Sequence, residues 1–363
     1  MQHAKLSPSS SARWLSCTGS VKAEQAFPSS TTSYAAEGTT AHALAELCLT
    51  TNDHPTKYIG QTLEGHIVDE DMAEHIAAYC AYVKSYSGVH LYEHRFSLTK
   101  WIPDSFGTSD AVVIDEANKT AHIIDLKYGK GVSVEAEQNT QAMLYALGVI
   151  DDLGFMYEFD TVVIHIYQPR IKNYSSWQTS TKYLLEWAEW VSQRAKETQL
   201  PDAPRTPSDK ACQWCKAKAT CKALLDHTHN VIMNDFDDLT SINPDTLTDN
   251  ELRVVMDNAK LIKSWLDAVE AHIFDKLNNG QAFDGYKLVE GRSTRTWQDE
   301  QQAAILLADK VPSDKLFTQK LISPAQAEKL LKNDKELFAS LVTKSAGKPT
   351  LVPSCDKRIA LND

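Results

Sequence analysis

No stretch of this chain approaches the ~20 consecutive apolar residues that a membrane-spanning helix needs, so a helical membrane protein is not expected. Positive charge is also short. The chain has 37 Lys and Arg against 48 Asp and Glu, a formal net charge of −11. That counts against a globally basic, non-specific DNA binder, because counterion release needs clustered cations facing the phosphates; a local basic groove stays open. The first residues, MQHAKLSPSSSARW, lack the basic-then-apolar layout of a signal peptide, which makes the cytoplasm the expected location. Internal repeats and low-complexity tracts are missing too. Seven cysteines is an odd number without an export signal, so a disulfide framework is not expected and any closely spaced set reads better as metal or cluster ligands. What is there is a globular composition: 363 residues, 42% hydrophobic and 23% charged, long enough for one large core or two domains.

Helical periodicity runs through AHALAELCL, where Thr39 or Thr40 supplies a cap, and through EDMAEHIAAYCAYVKSY, residues 70–86. Strand-like runs follow: LYEHRFSL, GTSDAVVID and TAHIIDLK, the last two separated by the turn EANK. EAEQNTQAMLYALGVI returns to a helical period, TVVIHIYQP (161–169) is another apolar strand, and YLLEWAEWVSQRAKE (183–197) another helix. That order predicts an α/β fold with a mixed central sheet flanked by helices. A Pro-rich passage, LPDAPRTPSDKA, leads into a cysteine cluster and then into the acidic, linker-like NDFDDLTSINPDTLTDN. Residues 1–230 therefore read as one domain and 231–363 as a mainly helical C-terminal region. In the latter, Val255, Ile262, Trp265, Leu266, Val269 and Ile273 recur at helical spacing as a core or partner-facing stripe. A short strand pair is expected around YKLVEG and RSTRTW, then helices to about residue 343 and an irregular tail.

Asp125 and Lys127 stand out, because charged side chains normally avoid apolar runs. If Glu116–Lys119 form the turn, Asp115 faces Thr120 and, counting back, Asp110 lies opposite Asp125. Directly opposed residues have Cβ atoms about 4.5–5.5 Å apart, and residues two positions along a strand share a face. Asp110, Asp125 and Lys127 then converge. Two carboxylates so close repel, and one takes up a proton unless a cation sits between them. A hard divalent ion is the simplest resident: Mg²⁺ or Mn²⁺ keeps waters that leave room for a substrate phosphate and an attacking water. Lys127 beside it is placed to orient that water or to stabilise charge developing on phosphorus. A solvent-facing hairpin with a surface ion pair is the plainer reading of the same residues. On the next helix, Gln141 and Tyr145 are four apart on one face with Gln138 on the same side, and the early helix carries His42 and, four residues on, Glu46. A lone helical His is more often structural than ligating.

Taken in order, His42 in EGTTAHALAE, the GTSD that ends in Asp110, Asp125-Leu126-Lys127 and Gln141-Ala-Met-Leu-Tyr145 resemble the motifs of the RecB-type branch of the PD-(D/E)XK nucleases. The resemblance implies a restriction-endonuclease-like core. It implies also that His42, Asp110, Asp125 and the backbone carbonyl of Leu126 bind Mn²⁺ or Mg²⁺, that Lys127 is catalytic, and that Gln141 and Tyr145 help position DNA. Imidazole among the ligands tilts the preference toward Mn²⁺. Glu37 and Glu46 stay outside this inner set.

The segment KACQWCKAKATCK sets Cys212, Cys215 and Cys221 in a C-x2-C-x5-C spacing. Three thiolates so close can wrap one metal centre, but a tetrahedral site or a cubane cluster wants a fourth. Cys17, Cys48, Cys80 and Cys355 are the candidates, and spacing does not choose among them. The likeness extends to those relatives that hold a [4Fe–4S] cluster, such as the CRISPR-associated RecB-like exonucleases and the nuclease domain of the bacterial AddB helicase-nuclease subunit. In them one Cys precedes the nuclease core and three follow it. This implies Cys17, in RWLSCTGS, as the partner of Cys212, Cys215 and Cys221, with the cluster tying the two ends of the core together. Zinc on the same four thiolates is the alternative. Cys48 and Cys80 fall on apolar helical faces and read as core, and Cys355 lies in the tail. Lys210, Lys216, Lys218 and Lys222 form either a phosphate-tracking patch or a solvated face. Trp214 either shields the cluster or stacks on a base.

The stretches LSPSSSARWLSCTGS, YAAEGTTAHALAE, YKLVEGRS and GKPTLVPSCDKR further resemble a phage and prophage family described only as a domain of unknown function, over nearly the whole chain. The expected function is a metal-dependent DNA nuclease, an exonuclease acting on DNA ends in phage recombination or replication. Its expected partners are DNA and phage recombination or replication proteins, with no membrane and with the cytoplasm of a bacterial host as the setting. Two other classes compete: a catalytically silent nuclease fold kept for DNA binding or assembly, and a zinc-stapled protein unrelated to DNA cleavage.

Overall fold

Both faces of the central strands are apolar, so each has to be covered by helices. The computed structural model of the protein describes residues 4–27, 33–234 and 249–288, all within the compact unit Met1–Leu288. Helices α1 (Ser11–Ser16), α2 (Ser20–Ala23) and α3 (Ser33–Thr51) come first, and a small hairpin of β1 (Thr62–Leu63) and β2 (His66–Ile67) leads to α4 (Glu70–Lys84). The main sheet is drawn from β3 (Val89–Ser97), β4 (Phe106–Asp115), β5 (Thr120–Leu126), β6 (Thr161–Gln168) and β7 (Asn173–Ser180), with α5 (Thr140–Leu153) inserted between β5 and β6. Helices α6 (Thr181–Glu197), α7 (Asp209–Cys212), α8 (Lys222–Asn234) and α9 (Asp249–Asn278) follow.

The strand order is β3-β4-β5-β6-β7. Only β5 and β6 run parallel, which is the pair that α5 connects; the other neighbours are antiparallel. Period-2 alternation divides the apolar residues between two layers. Val112, Ile114, Ala121 and Ile123 pack on α5 and α6, while Ala111, Val113, Ile124 and Leu126 pack on α3 and α4. Ile123 and Ile124 are each 0% exposed on opposite faces, and each burial contributes about 1.5–3 kcal/mol. Truncating either to Ala costs about 2–5 kcal/mol, because the filled layer cannot close over the hole. The expected mixed sheet flanked by helices is therefore present.

The hairpin between β4 and β5 has the expected register. Asp115 pairs with Thr120, its carboxylate accepts from the Asn118 amide at 3.1 Å, and Lys119 takes the left-handed φ of 48° that closes the turn. Elsewhere the chain departs from the expectations. Thr39 and Thr40 do not cap α3, which begins earlier; the Thr40 hydroxyl bonds back to the Ala36 carbonyl inside the helix. The helix expected from Glu135 starts at Thr140, where the Asn139 side chain accepts from Ala142 N, and Gln138 lies outside it, exposed, at φ 50°. Strand β7, NYSSWQTS, was not anticipated: it alternates without an apolar run because it is an edge strand with one face in water. In α9, Leu261 is buried; of the expected stripe Ile262, Trp265, Val269 and Ile273 are half-buried, whereas Val255 and Leu266 are 39% and 53% exposed. Tyr286–Leu288 are not strand; the rest of the expected strand pair, the later helices and the tail lie outside the described residues. Among the described residues no helix is long and apolar enough to cross a membrane.

Candidate functional site

Three carboxylates line up across three neighbouring strands. Tyr92 pairs with Ala111 and His94 with Ser109, which sets Glu93 against Asp110; Ala111 pairs with Ile124, so one further step sets Asp110 against Asp125. The ladder opens at that row. Glu93 takes a left-handed φ of 43°, a conformation that costs a non-glycine residue roughly 1–2 kcal/mol and that persists where the surroundings hold it. The Leu126 amide donates to Asp110 Oδ2 at 2.6 Å. At this gap in the ladder, groups from both faces reach the acids.

From one face comes His42. Helix α3 is pressed on the sheet by Ala41, Leu44, Ala45 and Cys48, and the His42 Nδ1 atom stands 3.1 Å from Asp110 Oδ1 and 4.0 Å from Glu93 Oε1. Ligand atoms of His42, Glu93 and Asp110 all lie within 4.8 Å of one another. From the other face come Gln141 and Tyr145, one helical turn apart on α5 as their spacing predicts. Gln141 Nε2 donates to the Tyr145 hydroxyl at 2.8 Å and toward Asp125 Oδ1 at 3.4 Å, and Gln141 Oε1 accepts from Lys127 Nζ at 3.0 Å. Lys127 Nζ is also 2.8 Å from Asp125 Oδ2. Gly107, in the same GTSD stretch as Asp110, is needed for this: a Cβ there would lie 2.7 Å from the Tyr145 ring.

The residues singled out from sequence thus meet, with two differences of detail. Asp125 joins the Lys127–Gln141–Tyr145 group rather than the three-ligand set, and Leu126 enters through its amide. Glu93 is the residue that sequence reasoning missed. Its only signal was a charge within LYEHRFSL, and that gains meaning only from the register with β4. Glu46 is exposed, and Glu37 pairs with Arg170.

Negative charge is in excess here. Burial opposes a charged imidazole at His42, but Asp110, Asp125 and Glu93 outweigh it and push the pKa up to about 9. Burial works against the Asp110 carboxylate too, yet His42 and Lys127 hold it below the ordinary value. Burial and the neighbouring Asp110 push Glu93 up to about 7. Asp125 is raised, chiefly by burial, and Lys127 is raised because Asp125 and Asp110 outweigh its burial. Asp125 Oδ2, sealed from solvent, has the ammonium beside it but no well-formed hydrogen bond. Such a cluster takes up protons or a cation. Divalent chemistry suits it: donors on opposite sides of one Mg²⁺ stand about 4.2 Å apart, which the spread of the His42, Glu93 and Asp110 atoms accommodates.

Cys17, Cys212, Cys215 and Cys221 line one small cavity, together with Ala211, Ala217 and Lys218. Leu224 and, from α9, Leu261 and Trp265 pack in one apolar cluster with Cys17, Ala211, Cys212 and Cys221. The Thr206 amide donates to Cys17 Sγ at 3.3 Å. Burial raises the Cys212 and Cys215 thiols, the latter to about 11, so they stay protonated at neutral pH until a metal takes the proton's place. Cys48 and Cys80 are buried core residues; Cys355 lies outside the described residues. Trp214 is 69% exposed. Lys218 is committed to Gln213 O and Ser264 Oγ, and Lys222 pairs with Asp226, which leaves the lysine patch weaker than its sequence suggests.

The profile of a family described as "Protein of unknown function (DUF2800)" matches residues 3–359, nearly the whole chain, and the chain belongs to that family. Among solved structures, the crystal structure of SSO0001 is similar over 50% of this chain and 85% of its own, at 12% identity and a TM-score of 0.22, a likeness too loose to bear on fold or function.

Proposed function

We propose that this member of the DUF2800 family is a metal-dependent DNA nuclease with a PD-(D/E)XK core, an exonuclease that hydrolyses phosphodiester bonds at DNA ends in phage recombination or replication. The observation that carries the proposal is the meeting of His42, Glu93 and Asp110 with the connected Asp125–Lys127–Gln141–Tyr145 group at one gap in the sheet's ladder. His42, Glu93 and Asp110 would hold Mn²⁺ or Mg²⁺, with Asp125 and the Leu126 carbonyl as the further ligands that the resemblance implies. A divalent ion supplies charge neutralisation at phosphorus and a water of lowered pKa.

The chain's own groups do the rest. Gln141 and Asp125 fix the Lys127 ammonium by two contacts, so that its charge faces the phosphoryl oxygens without reorganisation when charge develops on them. Tyr145, held by Gln141 and packed on Gly107, positions the DNA strand. The cysteine pocket is proposed to hold the [4Fe–4S] cluster that the resemblance implies, with zinc on the same four thiolates as the alternative.

Incubation of end-labelled single-stranded DNA, of both polarities, with Mn²⁺ tests the proposal. Short products from the wild type, lost in Asp110→Ala and Lys127→Ala, are expected. Cleavage retained in both variants removes the site assignment, and a wild type that binds DNA without cutting it is a silent module.

A further inference from the structure

We infer that Arg170 is a positioning residue for this centre: one guanidinium ties the helix that carries His42 to the strand exit that carries Lys127. The inference rests on the metal-centre reading above. Arg170 lies in the short turn Pro169–Ile171 between β6 and β7. That turn sits beside the end of β5, since Leu126 pairs with Tyr167 and Lys127 N donates to the Tyr167 carbonyl at 2.9 Å. The Arg170 side chain is only 11% exposed, and its Nη1 is 2.6 Å from Glu37 Oε2. Its guanidinium carbon is 4.7 Å from the centroid of the Tyr128 ring. Glu37 precedes His42 by little more than one turn of α3, and Tyr128, 4% exposed, directly follows Lys127. A planar guanidinium can pair with a carboxylate and stack on a ring at once, which an ammonium does not. Through Glu37 it sets where α3, and so the His42 imidazole, stands; through Tyr128 it fixes the segment that aims Lys127.

Partners that orient metal ligands from outside typically cost 10–100-fold in metal affinity when lost. Calorimetric titration of the full chain with Mn²⁺ reads this directly, without any DNA. Arg170→Ala and Glu37→Ala are each expected to weaken Mn²⁺ binding about 10-fold, Arg170→Lys less, and the swapped pair E37R/R170E is expected to recover affinity. In a His42→Ala background, Arg170→Ala is expected to change affinity no further, because a tether that aims His42 acts through His42. Circular dichroism establishes that each variant is folded, and Glu37→Ala carries the same test if Arg170→Ala does not fold. Unchanged affinity in a folded variant overturns the inference, as does an equal 10-fold loss with His42 already gone, which marks a purely structural pair. A wild type that binds no Mn²⁺ overturns the metal centre and the tether together; binding that survives the broken pair overturns the tether alone.

Discussion

The acidic centre and the cysteine pocket are assembled in opposite ways. Glu93, Asp110 and Asp125 come from three strands that follow one another in sequence, so ordinary hairpin register brings them together. The cysteine pocket joins Cys17 near the start to three residues that follow the whole sheet. Their chemistry differs as well. The acids carry excess charge that the fold must restrain, whereas burial favours the neutral thiols of Cys212 and Cys215. The comparison teaches that the first region strains a finished scaffold, while the second holds the ends of that scaffold together.

The largest expected effect breaks the comparison at its acidic side. Asp110→Ala or Lys127→Ala is expected to lower the rate of Mn²⁺-supported DNA cleavage by about 10²–10³-fold or more, with circular dichroism checking that each variant is folded, since each leaves a buried partner unpaired. If the proposed cluster is present, Cys17→Ser is expected to abolish the brown colour of anaerobically purified protein, and urea unfolding to show a loss on the order of 2–4 kcal/mol, the size of a long-range cross-link. Colour that survives this substitution rejects Cys17 as a ligand. Gly107→Ala probes the link between scaffold and site, because its methyl group must displace the Tyr145 ring; overpacking of this kind costs about 1–3 kcal/mol, and cleavage is expected to fall with it.

Acid also reaches the scaffold at a group outside both regions. His165 is 3% exposed, its ring nitrogens 2.9 Å from the Tyr82 hydroxyl and 3.1 Å from His122 Nδ1. Burial first, and His122 second, lower its pKa from 6.5 to about 3. The unfolded chain therefore binds a proton between these values that the folded chain does not. The stability from the neutral ring is complete above pH 6.5 and is lost as pH falls toward 3, by about 1.4 kcal/mol per pH unit in that window. His165→Gln is expected to flatten the urea midpoint against pH. The smallest effect sharpens the contrast: Glu93→Gln removes like-charge repulsion and raises metal-free stability on the order of 1 kcal/mol, visible as a higher melting point in chelator, while it weakens Mn²⁺ binding.

Much of the acidic region was legible from sequence because its rules are local. A four-residue turn and a period of two place Asp110 against Asp125, and a period of 3.6 places Gln141 with Tyr145. Glu93 was not legible, since its role depends on a left-handed backbone within a strand and on the pairing of β3 with β4. Gln138 was misplaced because the Asn139 cap, not the apolar pattern, decides where α5 starts. Strand β7 escaped notice for want of apolar residues, although alternation marks it once the edge of the sheet is known. Among the cysteines, the triplet near residue 215 announces itself by spacing, but Cys17 could be chosen only through resemblance, because nothing local connects it to the other three. Arg170 carries no pattern at all; only the fold sets it between α3 and β5.

The most direct test is anomalous scattering from a crystal soaked in manganese. A single strong peak bounded by His42 Nδ1, the Glu93 carboxylate and Asp110 is the predicted result, absent from crystals of Asp110→Ala. Well-ordered side chains around that point with no manganese peak in the wild type would contradict the account.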